Sequence, residues 1–425
     1  MHVKKHLGFA GLRGILTERL SRIGDGRDPG RTDHIIHDVL MSGFAVTYFQ
    51  DPSLLQFQQG LEDELHNNNV KTLFGVATIP KETQMRAVMD EVDSVELLPL
   101  FDDFFFSLQR GKYLEPYRVL GKYYCAVIDG SEYFSSQSIQ CPGCLTRGSY
   151  YTHQIVQMAL VHPDRKEVIP LAPEEVKNTD GTEKQDCEVN AGKRLIAKVR
   201  KTHPKLPLLI VGDSLYSKQP FIENLHKDAM HFVLVAKEED HKVLMEYVDG
   251  ARHLDGVSRI EVKENGRLHV YEWINEVPLN GNKDAPIVNY VAYSLYHKGK
   301  KSYHNAWVTD IVVEDKNVEE LVRIGRSRWK IENEVFNTVK NHGYHIEHNY
   351  GHGKEHLSFN FFILNMLAFF MHQIFEMTDH LYQQVRKKLG SKQNFWQVLR
   401  GVLQVLIFDT WEYLLQRILT PLRFL

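Results

Sequence analysis

YYCAVIDG, residues 123 to 130, is an apolar run that ends in an aspartate and a glycine. PLLIVGDS, residues 207 to 214, repeats this pattern further along the chain. Short apolar runs bounded by turn residues are typical of buried strands. The intervening and following segments predict more strands, together with helices over 186–204 and 218–229. This order of elements predicts an α/β domain with a mixed sheet and helices on its faces.

A β-rich segment at about 240–315 follows these elements. ENG at 264–266 is a strong hairpin turn signal between two alternating runs, and HKG at 297–299 marks the tip of a second hairpin. We interpret this segment as an insertion into the α/β domain. Helical spacing then returns and predicts a helix over about 318–341.

The two ends of the chain have helical patterns. We therefore divide the chain into a helical region at 1–115, an α/β domain at 116–350 and a helical region at 351–425. The apolar run at 359–375 is nearly long enough to cross a membrane, but polar side chains interrupt it, so a buried helix is favoured. The interrupting residues are Asn360, Asn365, His372 and Gln373.

Length and composition limit the possible classes of protein. A chain of 425 residues is expected to fold into two or three domains. Its four cysteines are too few for a disulfide scaffold, which favours a reduced, cytoplasmic compartment. The net charge of −3 neither reveals nor excludes a basic patch that binds nucleic acid.

Asp129 and Asp213 each follow an apolar run. If the two strands are neighbours, the carboxylates meet at the edge where ligands of open α/β sheets bind. Two close carboxylates repel each other unless they are protonated or bind cations, and their oxygen atoms suit Mg²⁺. The alternative is that each aspartate only caps the turn after its strand.

Arg328 and Glu332 form the run R-W-x-I-E in the helix predicted near residue 330. They are four residues apart and therefore lie on one helix face. An ordinary surface ion pair is the alternative interpretation. Glu334 is a second candidate for the third acidic residue, although it is rotated by roughly 120° from Arg328 at about 100° per residue. We favour Glu332.

The R-W-x-I-E run resembles the Y-x2-R-x3-E-x6-K motif of DDE transposases of bacterial insertion sequences. The resemblance covers about residues 120–350 and implies a ribonuclease-H-like mixed sheet, with a β-rich insertion between the fifth strand and the helix that carries the glutamate. It places the acidic residues at Asp129, Asp213 and Glu332. In this sequence Gly325 stands where the motif has Tyr, and the motif's Lys is displaced by one position to Lys340.

The resemblance implies a DNA transposase that cleaves transposon ends and transfers the cut strands into target DNA. Two Mg²⁺ ions, which Mn²⁺ can replace, would be held by Asp129, Asp213 and Glu332. Arg328 and Lys340 would bind phosphate groups of DNA. The alternatives are a catalytically inactive relative that only binds DNA, and a ribonuclease-H-like nuclease without strand transfer.

The implied partners are double-stranded DNA, both inverted-repeat ends and target, and a second copy of the chain that pairs two ends. No membrane is implied, and the expected location is the bacterial cytoplasm at the nucleoid. The helical region at 1–115 is the candidate for binding transposon ends.

For three further groups of polar residues, the sequence does not favour a role in metal binding or catalysis. Cys141 and Cys144 form a C-x2-C pair that could be half of a zinc site, but no second pair follows, so zinc is not favoured. The histidine-rich tract at 342–356 is interpreted as a DNA contact or a surface loop rather than a metal site. The side chains of Asp186, Glu188, Asn190 and Lys193 resemble a polar helix face, which is interpreted as a solvated face.

Overall fold

The fold is that of a computed structural model, which describes residues 4–28, 30, 32–62, 64–177, 185–348 and 350–420. Within these residues twelve strands form one sheet. They are β1 Arg118–Val119, β2 Tyr123–Ser136, β3 Leu145–Arg147, β4 Tyr150–Val161, β5 Ile169–Pro170, β6 Glu174–Val176, β7 Leu208–Gly212, β8 His231–Val235, β9 Ser258–Glu264, β10 Arg267–Pro278, β11 Ile287–His297 and β12 Lys300–Thr309.

The strand order is β3-β4-β2-β7-β8-β12-β11-β10-β9, with β1 paired to β2 and with β5 and β6 paired to β4. The central strands β2, β7 and β8 are parallel to one another, whereas β4 and β12 run antiparallel to their neighbours. The apolar runs at the centre are fully buried, as parallel strands covered on both faces require. The mixed α/β sheet of ribonuclease-H type that was expected is thereby confirmed.

In the sequence, the α-helices of the described residues lie before, between and after these strands. They are α1 Phe9–Leu20, α2 Ile36–Tyr48, α3 Leu54–Glu62, α4 Glu64–Phe74, α5 Glu82–Glu91, α6 Pro99–Arg110, α7 Glu188–Thr202, α8 Gln219–Lys227, α9 Lys242–His253, α10 Val318–Arg326, α11 Asn337–Asn341, α12 Leu357–Thr378, α13 His380–Leu389, α14 Lys392–Leu403 and α15 Trp411–Leu419.

The inserted segment consists of α9 and the four strands β9 to β12. Its two hairpin turns lie where the sequence predicts them, and both use backbone with positive φ: Asn265 and Gly266 in one turn, Lys298 and Gly299 in the other. Positive φ at both central residues is the geometry of tight hairpin turns that match strand twist. Because β12 pairs with β8, the insertion extends the central sheet instead of forming a separate one.

The helix predicted over 318–341 is interrupted, and the prediction of one continuous helix is wrong. Helix α10 ends at Arg326, and a π-helical turn at Ile331–Phe336 leads into α11. Ser327 causes the break, because its hydroxyl donates to the carbonyl of Ile324 at 2.6 Å and competes with the helical ladder. The π-helical turn packs against β2, so the interruption lies beside the first aspartate's strand.

By its length and composition, helix α12 could cross a membrane. However, 94% of its most apolar 18-residue stretch is buried inside the protein. Its polar residues bind neighbouring backbone: the Asn360 amide donates to two carbonyls of the α5 region, and the Asn365 amide donates to Tyr344. Gln373 accepts from the backbone of Val168 at 3.1 Å. Buried polar groups require such partners. The expected buried helix is confirmed.

The N-terminal and C-terminal helices pack around α12 in one helical body. Phe9 of α1 stacks on Trp411 of α15 with ring centroids 5.2 Å apart. The hydroxyl of Thr47 in α2 donates to the carbonyl of Leu364 in α12 at 3.2 Å. Regions that are separated by more than 300 residues of sequence therefore share one apolar core.

Candidate functional site

Asp129 and Asp213 lie level with each other on adjacent parallel strands. The register pairs Val127 of β2 with Val211 of β7, and each aspartate follows two residues later. Neighbouring strands are about 4.8 Å apart, so the two carboxylates share one edge of the parallel region. Asp129 is inside β2 rather than at its end, because β2 continues along β4 as far as Ser136.

Local backbone contacts orient both carboxylates. The Gly130 N–H donates to Asp129 Oδ1 at 3.0 Å, and the Leu215 N–H donates to Asp213 Oδ1 at 2.8 Å. Asp213 therefore does cap the turn after its strand with one oxygen, whereas Asp129 accepts its contact within β2. The Asp129 side chain is only 16% exposed, so its charge needs compensation.

Arg328 links the third acidic residue to the first. Its Nη1 lies 2.5 Å from Glu332 Oε1 and 3.5 Å from Asp129 Oδ2. The pair at positions 328 and 332 is thus part of the carboxylate site rather than an isolated surface ion pair. Glu332 is 47% exposed, so its side chain faces solvent as well as the guanidinium.

Glu334 acts on a different group. Burial lowers the pKa of the Lys330 ammonium, and the charge of Glu334 opposes this shift. Lys330 itself is almost fully buried and donates to the carbonyl of Arg165 at 2.5 Å. Of the two glutamates, Glu332 is the one whose charge reaches Asp129.

Glu188 is a fourth acidic residue at the site, and the interpretation of this position as part of a solvated face is wrong. It is the first residue of α7, where the helix N-terminus favours a negative charge. The Tyr216 hydroxyl donates to its Oε1 at 2.8 Å. Its carboxylate packs directly over Gly130, where any Cβ would overlap Oε2. Gly130, next to Asp129 in sequence, was the available signal for this close approach.

The pKa values of Asp129 and Glu188 are both raised at this site. Burial raises the pKa of Asp129 to about 7; Arg328 opposes this, whereas Glu188, Asp213 and Glu332 increase it. Burial and the charge of Asp213 also raise the pKa of Glu188, and the hydrogen bond from Tyr216 counteracts that shift. Such a cluster is stabilised by protons or by cations. Because its donors are all carboxylate oxygens, hard divalent ions such as Mg²⁺ or Mn²⁺ fit it.

Lys340 is engaged within the protein. Its Nζ donates to the carbonyl of Glu132 on β2 at 2.9 Å and lies 2.7 Å from Glu347 Oε1. These contacts fasten the end of α11 to the strand that carries Asp129. The structure therefore places Lys340 near the acidic site, but with its ammonium committed to internal partners.

Gly325 occupies the position of the motif's tyrosine, and the structure gives a physical reason for the difference. A Cβ at this position would lie 2.6 Å from Nε1 of Trp307, whose indole is fully buried. Trp307 is on β12, in the inserted segment. The indole thus fills the space next to α10 that a larger residue at 325 would need.

Comparison with known families was made across the whole chain. The family described as Transposase DDE domain matches residues 175–370. This range includes Asp213, Arg328 and Glu332 together with the inserted segment, and it begins after Asp129. A search of curated proteins found no match to the chain.

Proposed function

Because residues 175–370 match the family described as Transposase DDE domain, we propose that this chain is a DNA transposase whose catalytic residues are Asp129, Asp213 and Glu332. In this proposal it cleaves DNA at transposon ends and joins the cut strands to target DNA. The observation that carries the proposal is the convergence of two level strand carboxylates with a helical glutamate, bridged by Arg328.

The three carboxylates of Asp129, Asp213 and Glu332 would hold divalent ions, Mg²⁺ or Mn²⁺. The raised pKa of Asp129 supports this, because a buried cluster of like charges favours the binding of cations. When bound, such ions supply an activated water or 3′-hydroxyl nucleophile and stabilise charge on the leaving oxygen.

Groups of the protein itself orient the carboxylates and contact the DNA. Backbone N–H groups hold Asp129 and Asp213 in fixed orientations, so these two need little reorganisation. Glu332 is more exposed and sits on a π-helical turn, which gives it freedom to adjust. Arg328 contacts two of the carboxylates here, and we propose that it turns to a DNA phosphate once cations replace it.

The proposed transposase activity also implies which DNA the protein binds and that two copies of the chain act together. The proposed partners are double-stranded inverted-repeat ends, target DNA and a second copy of the chain. The helical region at 1–115 is proposed to bind the ends, and the proposed location is the bacterial cytoplasm at the nucleoid.

A cleavage and joining assay tests the proposal. The purified chain is incubated with Mg²⁺ and duplexes that carry the inverted repeats flanking its gene, together with a target plasmid. Cut ends joined to the plasmid are expected. Nicked ends that never join would instead establish a nuclease without strand transfer, and binding without any cutting would establish an inactive relative.

The apparent affinity for Mg²⁺ is expected to rise about tenfold per pH unit below about pH 7 and to level off above it, because one proton must leave Asp129 before its carboxylate can bind the ion. Without metal, stability should fall as pH rises from about 4 to about 7, since the folded state retains a proton that the unfolded chain has lost. Thermal melting with and without Mg²⁺ across this range measures both effects. Asp129→Asn should weaken this pH dependence without removing it, because burial also raises the pKa of Asp51 to about 7. A variant whose melting depends on pH as strongly as that of the wild type would contradict the assignment.

Glu188→Gln is expected to weaken the apparent affinity for Mg²⁺ by roughly 10-fold to 100-fold, as loss of groups around a metal site commonly does. Cleavage at saturating Mg²⁺ should fall much less than in a variant of Asp213. A Mg²⁺ titration of cleavage rate separates the two quantities. Tyr216→Phe is the matched comparison, because it removes only the hydrogen bond to Glu188. An unchanged Mg²⁺ dependence in Glu188→Gln would show that this carboxylate serves packing alone.

A further inference from the structure

Two cysteines and two histidines converge at a second place in the structure. Their ligand atoms all lie within 4.8 Å of one another. Cys141 and Cys144 come from the loop between β2 and β3, His153 comes from β4, and His352 comes from the loop between α11 and α12. The sequence interpretation that the C-x2-C pair lacks a second half overlooked the two histidines, which are 9 and 208 residues from Cys144.

The distances between these atoms match one tetrahedral ion. Bonds of about 2.3 Å to sulfur and about 2.0 Å to nitrogen require separations of about 3.8 Å for S–S, 3.5 Å for S–N and 3.3 Å for N–N. The two sulfurs are 3.8 Å apart. His153 Nε2 lies 3.4 Å from each sulfur, and His352 Nε2 lies 3.5 Å from Cys144 Sγ. The two Nε2 atoms are 3.0 Å apart, so five of the six separations are within about 0.3 Å of the tetrahedral values, and the sixth is within 4.8 Å.

The surrounding groups orient both imidazoles as metal ligands require. His352 Nδ1 lies 2.9 Å from the carbonyl of Gly353, which can only accept, so the ring proton is on Nδ1 and the Nε2 lone pair faces the cluster. His153 Nδ1 lies 3.5 Å from Glu175 Oε1, and the Tyr133 hydroxyl donates to that same oxygen at 3.2 Å. A carboxylate or carbonyl behind each histidine is the usual outer environment of zinc sites.

The loop is shaped to bring His352 to this position. Gly351 and Gly353 on either side of it have φ of +127° and +70°, a backbone that other residues rarely adopt. The ring of Phe134 packs against His352 with centroids 4.6 Å apart, and three of the four candidate ligands are buried. The C-x2-C turn places the Cys141 N–H 3.4 Å from Cys144 Sγ.

We propose that Cys141, Cys144, His153 and His352 bind one zinc ion. Two sulfur and two nitrogen donors in a tetrahedral arrangement favour zinc, and four protein ligands leave no open position, so the ion is structural rather than catalytic. It ties the loop after α11 to β4 and to the loop between β2 and β3. The proposal is independent of the transposase assignment.

Metal analysis of the purified full chain tests the proposal. We expect one zinc per wild-type chain and less than a tenth of that in Cys141→Ser/Cys144→Ser and in His352→Asn. Cys187→Ser and His356→Asn are the matched controls, since both residues lie outside the cluster, and they should retain the zinc. Asp129→Asn should also retain it, which separates this site from the carboxylate site.

Two measurements on the wild type decide the matter if a variant does not fold. Blocking the thiols should release one zinc per chain, and Co²⁺ in its place should give the absorption of tetrahedral cobalt bound to thiolates. A wild-type chain that contains no zinc after expression in zinc-supplied medium, and takes up none on titration, would overturn the proposal. Equal zinc loss in the control variants would overturn the assignment of these four ligands.

Discussion

Asp129→Asn, Asp213→Asn and Glu332→Gln are each expected to slow the cleavage of end DNA by at least about 1000-fold. Loss of one carboxylate removes several kcal/mol of stabilisation that bound ions give the transition state, and about 4 kcal/mol corresponds to this factor. Single-turnover cleavage of a labelled end duplex under saturating Mg²⁺ measures the effect. The amide variants keep the shape of each side chain and remove only its charge.

Glu334→Gln is the control for these variants, because Glu334 lies two residues from Glu332 but its charge acts on Lys330. Its cleavage rate should stay within a few-fold of the wild type. Without metal, Asp129→Asn should melt no lower than the wild type, since it removes a charge from a cluster of repelling acids. A large loss in Glu334→Gln with near-normal activity in Glu332→Gln would reverse the assignment of the third acidic residue.

Gly325→Ala is expected to lower the free energy of unfolding by about 1–3 kcal/mol, the usual cost of overpacking a core. The added methyl group would lie 2.6 Å from the indole nitrogen of Trp307, and a fully buried indole has little room to move. Urea titration followed by circular dichroism measures the change. Gly250→Ala in α9 is the matched control, because nothing lies within 4 Å of its added Cβ. That substitution should instead stabilise the helix by up to about 1 kcal/mol.

A second substitution tests whether the clash is the cause. Trp307→Phe alone should also destabilise the protein, because the smaller ring leaves a gap against α10. Combined with Gly325→Ala, the total loss should be smaller than the sum of the two single losses by at least about 0.5 kcal/mol, as expected of residues in contact. Strict additivity would show that the contact between position 325 and the indole is not responsible.

The parts of the fold that depend on local pattern could be predicted from the sequence. The buried strands at Asp129 and Asp213 followed from continuous apolar runs, and both inserted hairpins followed from turn residues that tolerate positive φ. The approach of Glu332 to the strand carboxylates was anticipated through the R-W-x-I-E run. Each of these signals lies within a few residues of the feature that it predicts.

The features that sequence reasoning missed depend on contacts between distant residues. Glu188 reads as an exposed helix residue, and only the packing of α7 over Gly130 brings it to the acidic site. His352 reads as one of several histidines in a loop, and its distance from His153 is set by the path of the chain across 199 residues. The break at Ser327 arises from competition between a side chain and the helical ladder, which apolar periodicity does not report.

The shared core of the two terminal regions has a consequence for synthesis of the protein. Helix α2 contacts α12 across 317 positions, so at ordinary elongation rates α2 waits roughly 15 to 60 s on the ribosome for its partner. Any product of premature termination before Leu357 leaves uncovered the side of α2 that packs on α12, and exposed apolar surfaces are recognised by chaperones and proteases. We therefore expect truncated chains to be degraded faster than complete ones.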